Sequence, residues 1–116
     1  PCTGLGTLRR NPDLKWRQNK GSLSELIVKQ GAILNSASTL CKKGGYLVYA
    51  TCSLLDDENE MIVEKFLSEH KDFATISAKD ALEKQGIKLD CDNYLKLFPN
   101  IHKTDGFFGA LLERID

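Results

Sequence analysis

Two cysteines stand in surroundings suited to nucleophilic chemistry. Cys52 follows the β-rich run Tyr46 to Ala50 in "YATCS", and acidic residues and a helical pattern follow it at once. Catalytic groups of open α/β sheets collect at the carboxyl ends of strands. A thiol placed there, close to a helix start, can have its pKa lowered by the helix dipole, which favours the nucleophilic thiolate. The competing reading is a small core hydrophobe, which residue type alone favours because unbridged cysteine is commonly buried. Cys2 lies between Pro1 and the turn-prone Gly4-Leu5-Gly6 in the opening "PCTGLGTLRRNPDLKWR". Cys41 fits the last apolar position of a helix, and Cys91 falls in a polar loop. No cysteine pair shows C-x-x-C or zinc-ligand spacing, which argues against a metal site and a thiol-redox protein.

A second group of residues suits phosphates. Arg9, Arg10, Lys15, Arg17 and Lys20 face a single acid, Asp13, between Leu8 and Lys20, with Trp16 among them for stacking on a base. The alternative is a solvated loop with Trp16 tucked into the core, and composition does not separate the two. Gly4-Leu5-Gly6 is not a dinucleotide fingerprint: no strand precedes it, and Arg9 occupies the third glycine's place. His102 reads as a loop histidine rather than a ligand or base.

The chain of 116 residues suffices for one domain, and 41% hydrophobic content is that of an ordinary globular protein. The formal net charge is zero, which argues against a generic polyanion binder. No apolar run reaches the length of a membrane span, and the opening residues carry no signal-peptide pattern. Four scattered cysteines outside a small loop-rich framework read as reduced thiols in the cytosol.

These groups are positioned by an expected α/β arrangement. Residues 1–21 read as an irregular basic loop. Ser22 and Glu25 suit a capping box for a helix whose stripe runs from Leu23 to Cys41, with Gln30 its polar exception and Gly44-Gly45 its stop. Tyr46 to Cys52 reads as a buried parallel strand, and Asp57 with Glu60 as the cap of the next helix. Strands are expected at Phe73 to Ser77, Tyr94 to Phe98 and Phe107 to Ile115, with a weak helix from Ala78 to Gln85 closed by Gly86. The β-α-β order implies a parallel crossover, with the last strand antiparallel beside it.

Three stretches together carry a resemblance: "PCTGLGTLRRNPDLKWR", "GGYLVYATCSLLDDENEMIVEKFL" and "LFPNIHKTDGFFGALLERI". In order and spacing they resemble the Sun/Nop family of RNA (cytosine-5) methyltransferases, in particular its RsmB-like members, over the whole chain. The resemblance implies a partial Rossmann-like methyltransferase fold, with residues 1–116 as the carboxyl-terminal half of the domain. It makes Cys52 the nucleophile that attacks carbon 6 of a flipped cytosine, and Cys2 the thiol that aids removal of the carbon-5 proton and product release. With RNA as the implied substrate, the basic-loop residues Arg9, Arg10, Lys15 and Arg17 are the expected RNA contacts, and Pro1 is the expected cofactor-binding residue. The substrate it implies is 16S ribosomal RNA in the cytoplasm, with transfer RNA as one alternative and a non-catalytic RNA-binding module as another. The family's glycine-rich cofactor loop and ribose-binding acid have no counterpart in this sequence. The isolated chain is therefore expected to be inactive, to lack measurable cofactor binding, and either to self-associate through an open strand edge beside Tyr46 or to be only marginally folded.

Overall fold

The computed structural model describes residues 2, 4–7, 20–87, 93–99 and 104–116. Helix α1 spans Lys20–Ser38, followed by strand β1 (Tyr46–Thr51), helix α2 (Glu60–Glu69), strand β2 (Phe73–Ile76), helix α3 (Ala78–Lys84), strand β3 (Leu95–Leu97) and strand β4 (Phe107–Arg114). Short 3-10 turns occupy Leu5–Thr7 and Asp56–Glu58.

The last strand is the centre of the four-stranded sheet. β1 pairs antiparallel with β4 from Tyr46 opposite Glu113 to Thr51 opposite Phe108. β2 pairs antiparallel with Phe73 opposite Arg114 and Ile76 opposite Leu111, and β3 with Leu95 opposite Gly109. Since β1 already pairs with Phe108–Glu113, β2 and β3 share the other edge of β4. β1 and β2 thus run in the same direction with β4 between them. The antiparallel last strand agrees with expectation. The buried parallel strand at Tyr46 does not: among the described residues β1 pairs only with the antiparallel β4. Its burial alternates, with Tyr46 and Val48 exposed and Thr51 buried.

The core follows from this register. Phe108, Ala110 and Leu112 of β4 point to one face, opposite Thr51, Tyr49 and Leu47 of β1. Leu34 of α1 and Ile62, Val63 and Phe66 of α2 close over that face, joined by Phe73 and Cys41. Completely burying a side chain such as Leu112 stabilises the fold by about 1.5–3 kcal/mol. The opposite face holds α3 and a more open apolar groove lined by Val48, Ala81, Leu82 and Leu111 among others.

Helix boundaries differ from the sequence reading for local reasons. α1 starts at Lys20, ahead of Ser22, so Ser22 lies inside the helix and is not its cap. It ends at Ser38, and Cys41 reaches the core from the turn beyond, buried as expected. Gly44 has φ of 81°, a conformation glycine adopts without penalty. Its amide donates to the Arg114 carbonyl at 2.7 Å, while the Arg114 amide donates to the Gly45 carbonyl at 3.0 Å. That turn clips the start of β1 to the end of β4. Asp57 does not cap α2: Asp56–Glu58 forms a 3-10 turn and the helix begins at Glu60 after Asn59. Asn59 makes no side-chain capping bond, because its amide is used elsewhere.

Candidate functional site

The end of β1 is an exposed thiol between two buried neighbours. Thr51 is 6% exposed and Ser53 is 1% exposed, whereas Cys52 between them is exposed to solvent. This removes the core-hydrophobe alternative for Cys52. Cys41 takes that role instead. Cys2, Cys41 and Cys52 are all unbridged.

Buried polar groups tether both sides of Cys52. The Thr51 hydroxyl donates to Asn59 Oδ1 at 2.5 Å and accepts from the Ser53 amide at 3.1 Å. Asn59 Nδ2 donates to the Ser53 carbonyl at 2.9 Å. The Ser53 hydroxyl donates to Glu58 Oε2 and accepts from the Leu55 amide at 3.0 Å. Glu58, 0% exposed, also accepts from Gln30 Nε2 of α1 at 3.1 Å, and its backbone carbonyl accepts from the Tyr49 hydroxyl at 2.6 Å. Satisfied buried hydrogen bonds of this kind rigidify the segment that makes them.

The opening segment meets this loop through glycine. The Leu5–Thr7 turn is closed by the Thr7 amide and hydroxyl, which donate to the Gly4 carbonyl at 2.8 and 2.7 Å. The Gly6 amide donates to the Cys52 carbonyl and the Gly106 amide to the Gly6 carbonyl, both at 2.7 Å. A Cβ on Gly6 would lie 2.4 Å from the Cys52 carbonyl oxygen and 2.6 Å from that of Gly106. Only a bare backbone fits there. Three stretches far apart in sequence therefore converge on the Cys52 loop: the Cys2 segment, the end of β1 and the approach to β4. Half-buried Cys2 comes within electrostatic reach of Tyr49. The Tyr49 hydroxyl is pushed above the usual phenol range, first by burial, then by Glu58 and Cys2.

Beside the loop a small cleft is lined by Leu54, Lys96, Phe98 and Phe107, and Lys96 Nζ pairs with Glu60 Oε2 at 2.5 Å. The arrangement supplies an accessible thiol on a fixed backbone and a second cysteine on the adjoining segment. Pro1, Arg9, Arg10, Lys15, Arg17, Trp16, Cys91 and His102 lie outside the described residues. Among the described residues there is no cluster of three or more His, Cys, Asp or Glu side chains able to hold a metal. None of the helices among them is long and apolar enough to cross a membrane.

Sequence reasoning missed Glu58, Asn59, Ser53 and Tyr49 as the groups that hold the Cys52 loop. Glu58 sits in the acidic run Asp56 to Glu60, which looks solvated. The one available signal was Gln30, a polar residue on an apolar stripe; it is 3% exposed and binds Glu58.

Comparison with known proteins places this geometry. The family model described as 16S rRNA methyltransferase RsmB/F matches residues 1–113. The probable ribosomal RNA small subunit methyltransferase B of Synechocystis sp. is 40% identical over 114 residues, covering 98% of this chain and 26% of the relative. The crystal structure of PH0851 superposes with a TM-score of 0.85 at 37% identity, covering 97% of this chain and 25% of that one. NSun6 from Pyrococcus horikoshii, crystallised with SFG, superposes with a TM-score of 0.78 at 27% identity, covering all of this chain and 28% of NSun6. The chain spans about a quarter of the length of the curated relatives it matches. On the family match and these likenesses, the chain belongs to the RsmB/F family of 16S rRNA methyltransferases.

Proposed function

We propose that this chain forms the two-cysteine part of an RNA (cytosine-5) methyltransferase domain acting on 16S ribosomal RNA. The observation that carries the reading is the Gly6–Cys52 hydrogen bond, which fastens the segment that follows Cys2 to the loop that exposes Cys52. Cys52 Sγ, as thiolate, bonds to carbon 6 of a cytosine taken out of its stack. The electron pair of the 5,6 double bond then makes carbon 5 nucleophilic. S-adenosylmethionine is the methyl donor that the family resemblance names. Once carbon 5 carries the methyl group, Cys2 as thiolate assists removal of the carbon-5 proton, the double bond re-forms, and the Cys52 sulfur leaves as thiolate. Two thiols are needed because one is covalently occupied until elimination.

Among the described residues, the glycine turn of the opening segment does not fit a cofactor loop. Gly4 and Gly6 build a 3-10 turn whose Gly6 and Thr7 amides are taken by the Cys52 and Gly4 carbonyls. This turn is an internal brace, and no step is assigned to it as a cofactor loop. The test is a chimera in which residues 1–116 replace the matched segment of the Synechocystis relative. Methyl transfer to cytosine in 16S ribosomal RNA, lost on Cys52→Ala, supports the proposal. A folded chimera that binds RNA yet transfers no methyl group overturns it, with the unaltered relative as the control.

A further inference from the structure

We propose that Glu58 is a positioning residue for Cys52: its buried carboxylate fixes the backbone from which the thiol projects. The inference rests on the proposed role of Cys52 and extends it to a residue that never touches the base.

A carboxylate at 0% exposure is costly to bury, and an apolar residue of similar volume often serves stability as well or better. What Glu58 supplies is geometry. One oxygen accepts from Ser53, the residue after Cys52; the other accepts from Gln30 of α1 at 3.1 Å. Its backbone carbonyl accepts from Tyr49, in the strand that leads into Cys52, at 2.6 Å. Asn59, next in sequence, holds the Ser53 carbonyl and the Thr51 hydroxyl at 2.9 and 2.5 Å. The residues on both sides of Cys52 are thus tied to residues 58 and 59, which are tied in turn to α1 and β1. The Cys52 carbonyl itself accepts from the Gly6 amide at 2.7 Å. The backbone is pinned at each neighbouring residue while the side chain is exposed. A nucleophile needs such placement, since a displacement of about 1 Å costs about a hundredfold in rate.

The test is amide hydrogen exchange on the 116-residue chain. Glu58→Ala is expected to speed exchange of the Gly6 and Leu55 amides at least about tenfold, the loss of one buried hydrogen bond's protection. The β4 amides paired with β1 should keep their protection. Glu58→Gln, which keeps length and one acceptor oxygen, should restore most of the Gly6 and Leu55 protection. Ser53→Ala removes one hydroxyl from the tether and serves as the milder variant if Glu58→Ala does not fold. Equal losses at Gly6 and throughout β4 would make Glu58 a general stabiliser and overturn the proposal, as would unchanged exchange at Gly6 and Leu55. In the chimera, Glu58→Ala should lower kcat with little change in KM for RNA. An inactive parent chimera would remove the methyltransferase reading and leave the exchange result standing.

Discussion

The Gly6 amide donates to the Cys52 carbonyl at 2.7 Å, and the Gly6 carbonyl accepts from Gly106 at the same distance. One glycine thus bridges the segment carrying Cys2, the loop carrying Cys52 and the entry to the central strand β4. The Gly6–Cys52 bond joins residues 46 positions apart in sequence without any side chain, so its whole specificity lies in backbone approach. That makes the position sensitive to a single methyl group.

Gly6→Ala should break this junction. Its Cβ would meet two carbonyl oxygens at 2.4 and 2.6 Å, and neither belongs to a flexible side chain. Overpacking of this kind costs about 1–3 kcal/mol. Denaturant melts read the loss, and exchange at the Gly106 amide reads the opening of the junction. A melt that matches the parent would show that the loops yield at no cost.

The elements and their order were legible because each carries its own periodicity. Leu23 to Leu34 recurs at helical spacing, and "FFGALLER" is a short apolar run reached through a loop with Pro99 and Gly106, so α1 and β4 follow from local pattern. The place of β4 between β1 and β2 was not legible, because strand order depends on pairings between distant residues. The position of Cys52 at a strand end was legible, but its exposure was not: a thiol suits both core and solvent. Glu58 shows the same limit. Beside Asp56 and Asp57 it looks like one more solvated acid, and only the return of α1 brings Gln30 against it.

Alkaline pH should weaken the fold through Tyr49. Burial first, then Glu58 and Cys2, hold its folded pKa above the ordinary phenol value of about 10. Between the two values the folded state binds the proton that the unfolded state has lost. Stability is therefore intact below about pH 10 and falls as pH rises toward the folded value. Tyr49→Phe should flatten that decline, while costing about 1 kcal/mol at neutral pH for the lost bond to the Glu58 carbonyl. Tyr94, raised mainly by burial, leaves a residual slope. Thermal melts of both proteins from pH 7 to 11 check this, and identical alkaline limbs would remove Tyr49 as the cause.

Arg10 and Arg17 should bind phosphates of the RNA backbone. In the active chimera, replacing both by alanine is expected to weaken RNA binding without regard to sequence. It should also flatten the dependence of log affinity on log salt, by about 0.7 for each single-strand phosphate that is no longer neutralised. Filter binding across a salt series reads both quantities. An unchanged affinity and slope would return these arginines to a solvated loop.

The two thiols should fail in different ways. Cys52 sits exposed on a loop pinned on both sides, the arrangement expected of an attacking group. Cys2 is half-buried on the segment that Gly6 fastens to that loop, which suits a group acting after the adduct has formed. Pro-Cys cysteines also serve as nucleophiles in DNA cytosine-5 methyltransferases, so the reverse assignment is the direct competitor. If Cys52 attacks, Cys52→Ala abolishes both turnover and covalent capture of RNA. Cys2→Ala then abolishes turnover but lets the protein–RNA adduct accumulate, because the sulfur–carbon bond forms and elimination stalls. Denaturing gel electrophoresis of each chimera with 16S ribosomal RNA and cofactor separates the cases. A retarded band from Cys2→Ala and none from Cys52→Ala fits the assignment. The opposite pattern would make Cys2 the nucleophile and give the exposed, pinned Cys52 the later role.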